Sequence, residues 1–78
     1  MDTNADWCTF VTGDGKGGTE QKLPNKVASA QECALQAWLL HPTANGATYG
    51  DSGKCYAEFG WKESNGNKKW QTCKLPGY

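Results

Sequence analysis

Several things are missing from this chain of 78 residues, and each absence removes a class of function. No two of its four cysteines form a C-x-x-C pair. Zinc knuckles, which need paired ligands on tight turns, and thioredoxin-type redox motifs are therefore not expected. An excess of one charge is also missing, since 8 basic and 8 acidic residues cancel. A binder of nucleic acid or of an anionic membrane surface shows a basic excess or patch, so no nucleic-acid partner is expected. No apolar run approaches the ~20 residues of a transmembrane helix, so no membrane insertion is expected. The opening Met1-Asp2-Thr3-Asn4 is polar and does not read as a secretory signal. No Asn-x-Ser/Thr acceptor for N-glycosylation occurs.

Catalytic signatures are equally scarce. His41 is the only histidine, and no serine or free cysteine accompanies it in a recognisable nucleophile motif. Carboxylates are available at Asp6, Asp14, Glu20, Glu32, Glu58 and Glu63, but nothing in their spacing brings two together. Asp14, Asp51 and Glu58 are hard oxygen ligands, yet no Asp-x-Asp-x-Asp-Gly calcium loop is present. We expect no catalytic residues, no metal site and no cofactor.

What the chain does have is Cys8, Cys33, Cys55 and Cys73, with 24, 21 and 17 residues between neighbours. An even count of widely spaced cysteines in a short chain reads as two structural disulfides and an oxidising, extracellular setting. A domain this small buries only about 60% of the surface its unfolded chain exposes. Two cross-links contributing roughly 2–4 kcal/mol each supply what its core lacks. Four cysteines allow three pairings, and the sequence pattern does not choose among them.

Along the chain, Trp7-Cys8-Thr9-Phe10-Val11-Thr12 is rich in β-formers and predicts a strand. Gly13-Asp14-Gly15-Lys16-Gly17-Gly18 follows, and it reads as a mobile surface loop. Its glycines suggest a phosphate cradle, but the Gly-Lys-Ser/Thr ending is absent. Ser29-Ala30-Gln31-Glu32 is a capping box. It opens a helix from Ala30 to Leu40, built of good helix formers, whose apolar stripe is Cys33, Ala37 and Leu40. His41-Pro42 ends that helix, because the residue before proline avoids helical dihedrals.

Strands are then predicted at Gly46–Tyr49, Lys54–Phe59 and Lys69–Cys73, separated by an Asp51-Ser52-Gly53 turn and an Asn65-Gly66 turn signal. Short connections suggest an antiparallel meander joined by the N-terminal strand. Residues two apart on a strand share a face. If the cysteines bond toward the helix, Cys8, Phe10, Cys55, Ala57, Phe59, Gln71 and Cys73 face it. Trp7, Thr9, Val11, Tyr56, Glu58, Trp70 and Thr72 then face the other way.

The same residues resemble the PAN/apple domains. Ser29–Ala37 resembles that family's cysteine-bearing helix, Pro42–Tyr49 the stretch after it, and Gly53-Lys54-Cys55-Tyr56 the next strand. Cys8 and Cys73 match the family's first and last cysteines, so the likeness runs from Trp7 to Cys73. The family's bridge from helix to loop falls here on Ala37 and Ala44, and its loss strands no thiol. The resemblance implies the nested pairs Cys8–Cys73 and Cys33–Cys55, and a non-catalytic role in binding carbohydrate or protein. The Ala-Asn-Gly-Ala-Thr-Tyr and Cys-Tyr-Ala-Glu-Phe strings are similar to a variant in multidomain secreted invertebrate proteins.

Four tryptophans are many for so small a core. Trp38, on the helix, and Trp61, after the Phe59 strand, are assigned to packing. Trp7 and Trp70 share the outward parity with Tyr56. The plain reading is a minor hydrophobic cluster closing that face. The functional reading is an aromatic platform with Glu58, Gln71 or Asn67 at its edge, on which sugar rings or a partner's side chains stack. Lys68 and Lys69, with Lys54, Lys62 and Lys74, form a basic rim. This rim either deters strand-to-strand aggregation or attracts sulfated or sialylated glycans.

The expectation is thus one α+β module spanning residues 1–78, with its core in 7–73: one α-helix on a twisted antiparallel β-sheet, stapled by two disulfides. Its expected function is lectin-like or protein-binding, through Trp7, Tyr56, Glu58, Trp70 and Lys69. The expected partner is a glycan or an extracellular protein, and the module belongs to a larger secreted protein. The alternative is a structural or adhesive matrix module without a small-molecule ligand.

Overall fold

Helix α1 (Ala30–Leu40) begins where its cap dictates. Ser29 is extended, at φ −155° and ψ 163°, and its hydroxyl accepts from the Glu32 amide at 3.2 Å. That satisfies one of the four amides a helix start leaves unpaired. The helix ends at His41, whose amide donates to the Ala37 carbonyl at 2.9 Å and whose ring meets Phe59 edge-on at 5.7 Å.

The computed structural model describes residues 8–50 and 52–75. Besides α1 it contains β1 (Phe10–Thr12), β2 (Gly15–Lys16), β3 (Thr19–Lys22), β4 (Gly46–Gly50), β5 (Cys55–Phe59), β6 (Glu63–Ser64) and β7 (Trp70–Lys74). Five strands form one antiparallel sheet in the order β1-β7-β4-β5-β3, and β2 pairs with β6 as a separate ribbon. The fold is α+β, with one helix on an antiparallel sheet. Its disulfides are Cys8–Cys73 and Cys33–Cys55, each with a Cα separation of 5.4 Å. The first ties the N-terminal strand segment to β7, and the second ties α1 to β5.

The sheet is not the expected meander. β7 does not follow β5 but returns to lie between β1 and β4, pairing Ala47 with Cys73 and Phe10 with Cys73 on its two sides. The central strand β4 explains why. Its residues Gly46, Ala47, Thr48 and Gly50 are buried, and such small side chains let both faces of the sheet be covered closely. On one face lies α1, through Cys33, Ala34 and Ala37. The core there also takes Cys55, Ala57, Cys73, Leu23, Val27 and Leu75, with Phe10, Trp38, Tyr49 and Phe59 packed against it.

Two local expectations need correction, and one strand was not anticipated. Leu40 is 54% exposed and does not belong to the buried stripe, because alanines rather than leucines let the helix sit close to the sheet. The 13–18 segment is not a free loop. Gly13 is buried, Gly15 and Lys16 pair with Ser64 and Glu63, and the Lys62 amide donates to the Lys16 carbonyl at 2.9 Å. The edge strand β3, Thr19–Lys22, pairs with β5 although every residue in it is exposed. With no buried side chain it carries no hydrophobic alternation to read.

Candidate functional site

The face of the sheet opposite α1 carries the candidate site. Residues aligned across antiparallel strands share a face, so the register sorts this surface into three rows. The first is Trp70 and Gly50, with Lys54 at the start of β5 closing the row through its carbonyl, which accepts the Gly50 amide at 2.9 Å. The second is Val11, Thr72, Thr48, Tyr56 and Lys22. The third is Lys74, Gly46, Glu58 and Glu20.

The first two rows build an aromatic pair. Tyr56 and Trp70 sit on strands separated by β4, and their ring centroids are 5.6 Å apart at 69°. Gly50 makes the reach possible. A Cβ at that position would lie 2.6 Å from Cζ3 of Trp70, so the indole rests on bare backbone. Both rings are half-buried. Edge-to-face aromatic contacts of this kind are worth about 0.5–1.5 kcal/mol beyond area burial. By register the exposed Lys22 stands opposite Tyr56, and by alternation Lys54 shares its face.

The sequence-derived site residues divide as follows. Tyr56 and Trp70 are brought together. Trp7 lies outside the described residues, and the β1–β7 register sets Thr12 opposite Gln71, beside Trp70. Lys69 is exposed, and its amide donates to the Asn67 side chain at 3.0 Å. It borders a shallow depression of about 270 Å³ at the end of the sheet, with Thr12, Tyr49, Trp70 and Gln71. Trp70 therefore borders both surfaces. Gln71 pairs with Thr12 and Tyr49 on the helix side of the sheet, away from the ring pair. Lys22 was hidden from sequence reasoning because nothing local announces the all-polar β3.

Glu58 does not edge the platform. It is 1% exposed, covered by Trp61 and the β2/β6 ribbon. A Cβ on Gly15 would lie 2.6 Å from Cδ1 of Trp61 and 3.0 Å from the Glu58 carboxyl carbon. Trp61 thus packs on this second face, not on the helix side as strand parity past Phe59 suggests. The cause is local: Gly60 takes φ +75°, and Asn45 clamps the Trp61 backbone, accepting its amide and donating to its carbonyl, both at 3.0 Å.

Beneath this cover runs a chain of buried oxygens. Glu58 Oε2 is 2.7 Å from Thr48 Oγ1, Thr48 Oγ1 is 2.9 Å from Thr72 Oγ1, and Thr72 Oγ1 donates to the Gly13 carbonyl at 2.7 Å. Carboxylate oxygens of Asp14, Glu20 and Glu58 converge within 4.8 Å of one another. Burial above all, with the charges of Glu20 and Asp14, pushes Glu58 up to about 7, while the Thr48 hydroxyl pulls the other way. Glu20 is also raised, by partial burial and then by Asp14. Nothing in the sequence spacing of Asp14, Glu20 and Glu58 brought two of them together, and the pairing of β3 and β5 with the ribbon above them corrects that expectation.

No protein-family model, no curated protein and no solved structure matches the chain. Among the described residues no helix is long and apolar enough to cross a membrane. Two disulfides in so small a domain fit an oxidising, extracellular compartment.

Proposed function

We propose that this protein is a non-catalytic extracellular binding module that takes carbohydrate on the Tyr56–Trp70 face. One observation carries the reading: two half-exposed aromatic rings from separate strands meet over a glycine that keeps the strand between them bare. The apolar C–H face of a sugar packs on such rings, and Lys22 and Lys54 beside them offer donors to its oxygens. The PAN/apple likeness supports the same reading, since members of that family bind carbohydrate or protein, and it is part of the proposal. So are secretion, membership of a larger secreted protein, and the absence of catalysis, nucleic-acid binding and membrane insertion.

A second reading, a structural or adhesive module contacting other proteins, is favoured by the exposed Leu39 and Leu40 at the helix end and Val11 on β1. The deciding experiment is a broad glycan array, including sulfated and sialylated sugars, probed with the oxidised labelled domain and with Trp70→Ala. Hits sharing one terminal sugar, lost in the variant while its far-UV circular dichroism is unchanged, establish the first reading. A blank array with folded protein rejects it in favour of the second.

A further inference from the structure

The buried oxygens under the β2/β6 ribbon can be counted for protons. The Gly13 carbonyl only accepts, so Thr72 must donate to it. Having one hydroxyl proton, Thr72 can then only accept from Thr48 across their 2.9 Å contact. That commits the single Thr48 proton. The 2.7 Å contact between Thr48 and Glu58 is left needing a third proton, which only the carboxyl can bring. If Glu58 were ionised, Thr48 would turn to it, and the Thr48–Thr72 contact would set two lone pairs against each other inside the sheet. Carboxylate oxygens of Asp14 and Glu20 also lie within 4.8 Å of one of Glu58, so an ionised Glu58 would face two like charges.

We propose that Glu58 is a resident proton site: its proton closes the threonine chain to Gly13 and so clasps the β2/β6 ribbon to the sheet, and its release loosens the ribbon and β3. Burial and neighbouring charge raise Glu58 to about 7 even with the Thr48 hydroxyl acting as a donor to it, and the proton count pushes in the same direction. The charged groups on the strands around it are Glu20 and Lys22 on β3, Asp14 and Lys16 at β2, Lys62 and Glu63 at β6, and Lys74 on β7. All four lysines are exposed, and the charges acting on Glu58 are those of Glu20 and Asp14.

On deprotonation the proton passes to solvent, and three converging carboxylates are left charged. They are carried by different pieces: Asp14 at the ribbon, Glu20 on the edge strand, Glu58 in the sheet. Repulsion therefore acts across the two seams that hold the cover down. Gly13, at the end of the threonine chain, also donates its amide to the Trp70 carbonyl at 2.7 Å, so the clasp connects to the backbone of the aromatic pair. The device stands whether or not that pair binds sugar.

The test is a side-chain carboxyl carbon NMR titration of the oxidised protein from pH 3 to 9. The expected result is a Glu58 midpoint near 7, a proton affinity about a hundredfold or more above that of an ordinary glutamate. Exchange of the Lys62 and Asn65 amides, which bond to Lys16 and Asp14, should speed up through that midpoint while the His41 amide of the helix cap stays protected. Thr72→Val frees the Thr48 proton for the carboxylate and should weaken proton affinity at least tenfold. A wild-type midpoint near 4.5, or a Thr72→Val midpoint equal to that of wild type, overturns the proposal. If Thr72→Val does not fold, the wild-type titration decides alone.

Discussion

Stability of this protein should fall as pH rises from about 4.5 to about 7, the opposite of ordinary acid denaturation. Glu58 titrates near 4.5 in the unfolded chain and near 7 in the fold. Between these values the folded state holds a proton that the unfolded state has lost, so unfolding releases a proton and each step up in pH favours it. The contribution is fully present below pH 4.5 and gone above about 7. A shift of that size at 1.36 kcal/mol per unit corresponds to an upper limit of about 3 kcal/mol. For a domain of this length that is roughly 15 °C in Tm. The assay is urea or thermal unfolding of the oxidised protein at pH 5 and pH 8, beside Glu58→Gln. The amide of that variant donates to Thr48 as the neutral acid does but does not titrate, so its stability should depend less on pH across the window than that of wild type, with Glu20 left as the raised carboxyl, and exceed that of wild type at pH 8. A wild-type curve that is flat or rises from pH 5 to 8 refutes the reasoning, because no buried neutral carboxyl would then be present.

Other perturbations test other parts of the molecule. Gly50→Ala places a Cβ 2.6 Å from the Trp70 ring, so it should break the Tyr56–Trp70 pair. The expected outcome is a changed near-UV circular dichroism spectrum and at least tenfold weaker glycan binding, with secondary structure retained. Gly15→Ala meets Trp61 at 2.6 Å and the Glu58 carboxyl at 3.0 Å, so hydrogen exchange should show the ribbon amides losing protection while α1 keeps its own. Replacing Cys8 and Cys73 together by serine opens a 65-residue separation, and replacing Cys33 and Cys55 one of 22. Loop entropy puts the losses at about 4 and about 3 kcal/mol, measurable by urea unfolding. Ser29→Ala removes the helix cap and should cost about 1 kcal/mol in the same assay.

Local chemistry was legible in the sequence. Ser29 and Glu32 announced the start of α1 to the residue, and Pro42 its end, because capping and proline sterics act within a turn. The strands at β4, β5 and β7 were visible as β-forming runs between glycine and asparagine turns. Strand order was not, because nothing in a strand's own residues states its neighbour. The small buried residues of β4 mark a strand covered on both faces, but only with hindsight, since alanine and glycine are poor strand formers. The four-glycine segment looked like a loop because its partners, Glu63 and Ser64, lie far along the chain. The candidate site followed the same divide. Tyr56 and Trp70 fell to simple parity, while Lys22 depended on an edge strand without a buried side chain, and Glu58 on a cover that only the chain's return could supply.

The two faces of this sheet solve one packing problem in different ways, and the difference locates its chemistry. Toward α1 the sheet presents Ala47, Cys55, Ala57 and Cys73, and apolar burial reinforced by the Cys33–Cys55 bridge suffices. Among the described residues the opposite face is covered by a two-stranded ribbon and Trp61 rather than by a helix. A cover that small cannot exclude water over the whole surface, so the face divides. At one end the Trp70 and Tyr56 rings stay half-buried over the buried Gly50. At the other end Trp61 and the ribbon bury Thr48, Thr72 and Glu58, whose polar groups must satisfy one another because buried unpaired oxygens are costly. Three links to a carbonyl terminus need three protons, and two threonines supply two. A glutamate in the third place closes the chain only while it is neutral. The grip of the ribbon on the sheet is therefore tied to a carboxyl proton held near 7, a pH at which a small change in the surroundings can remove it.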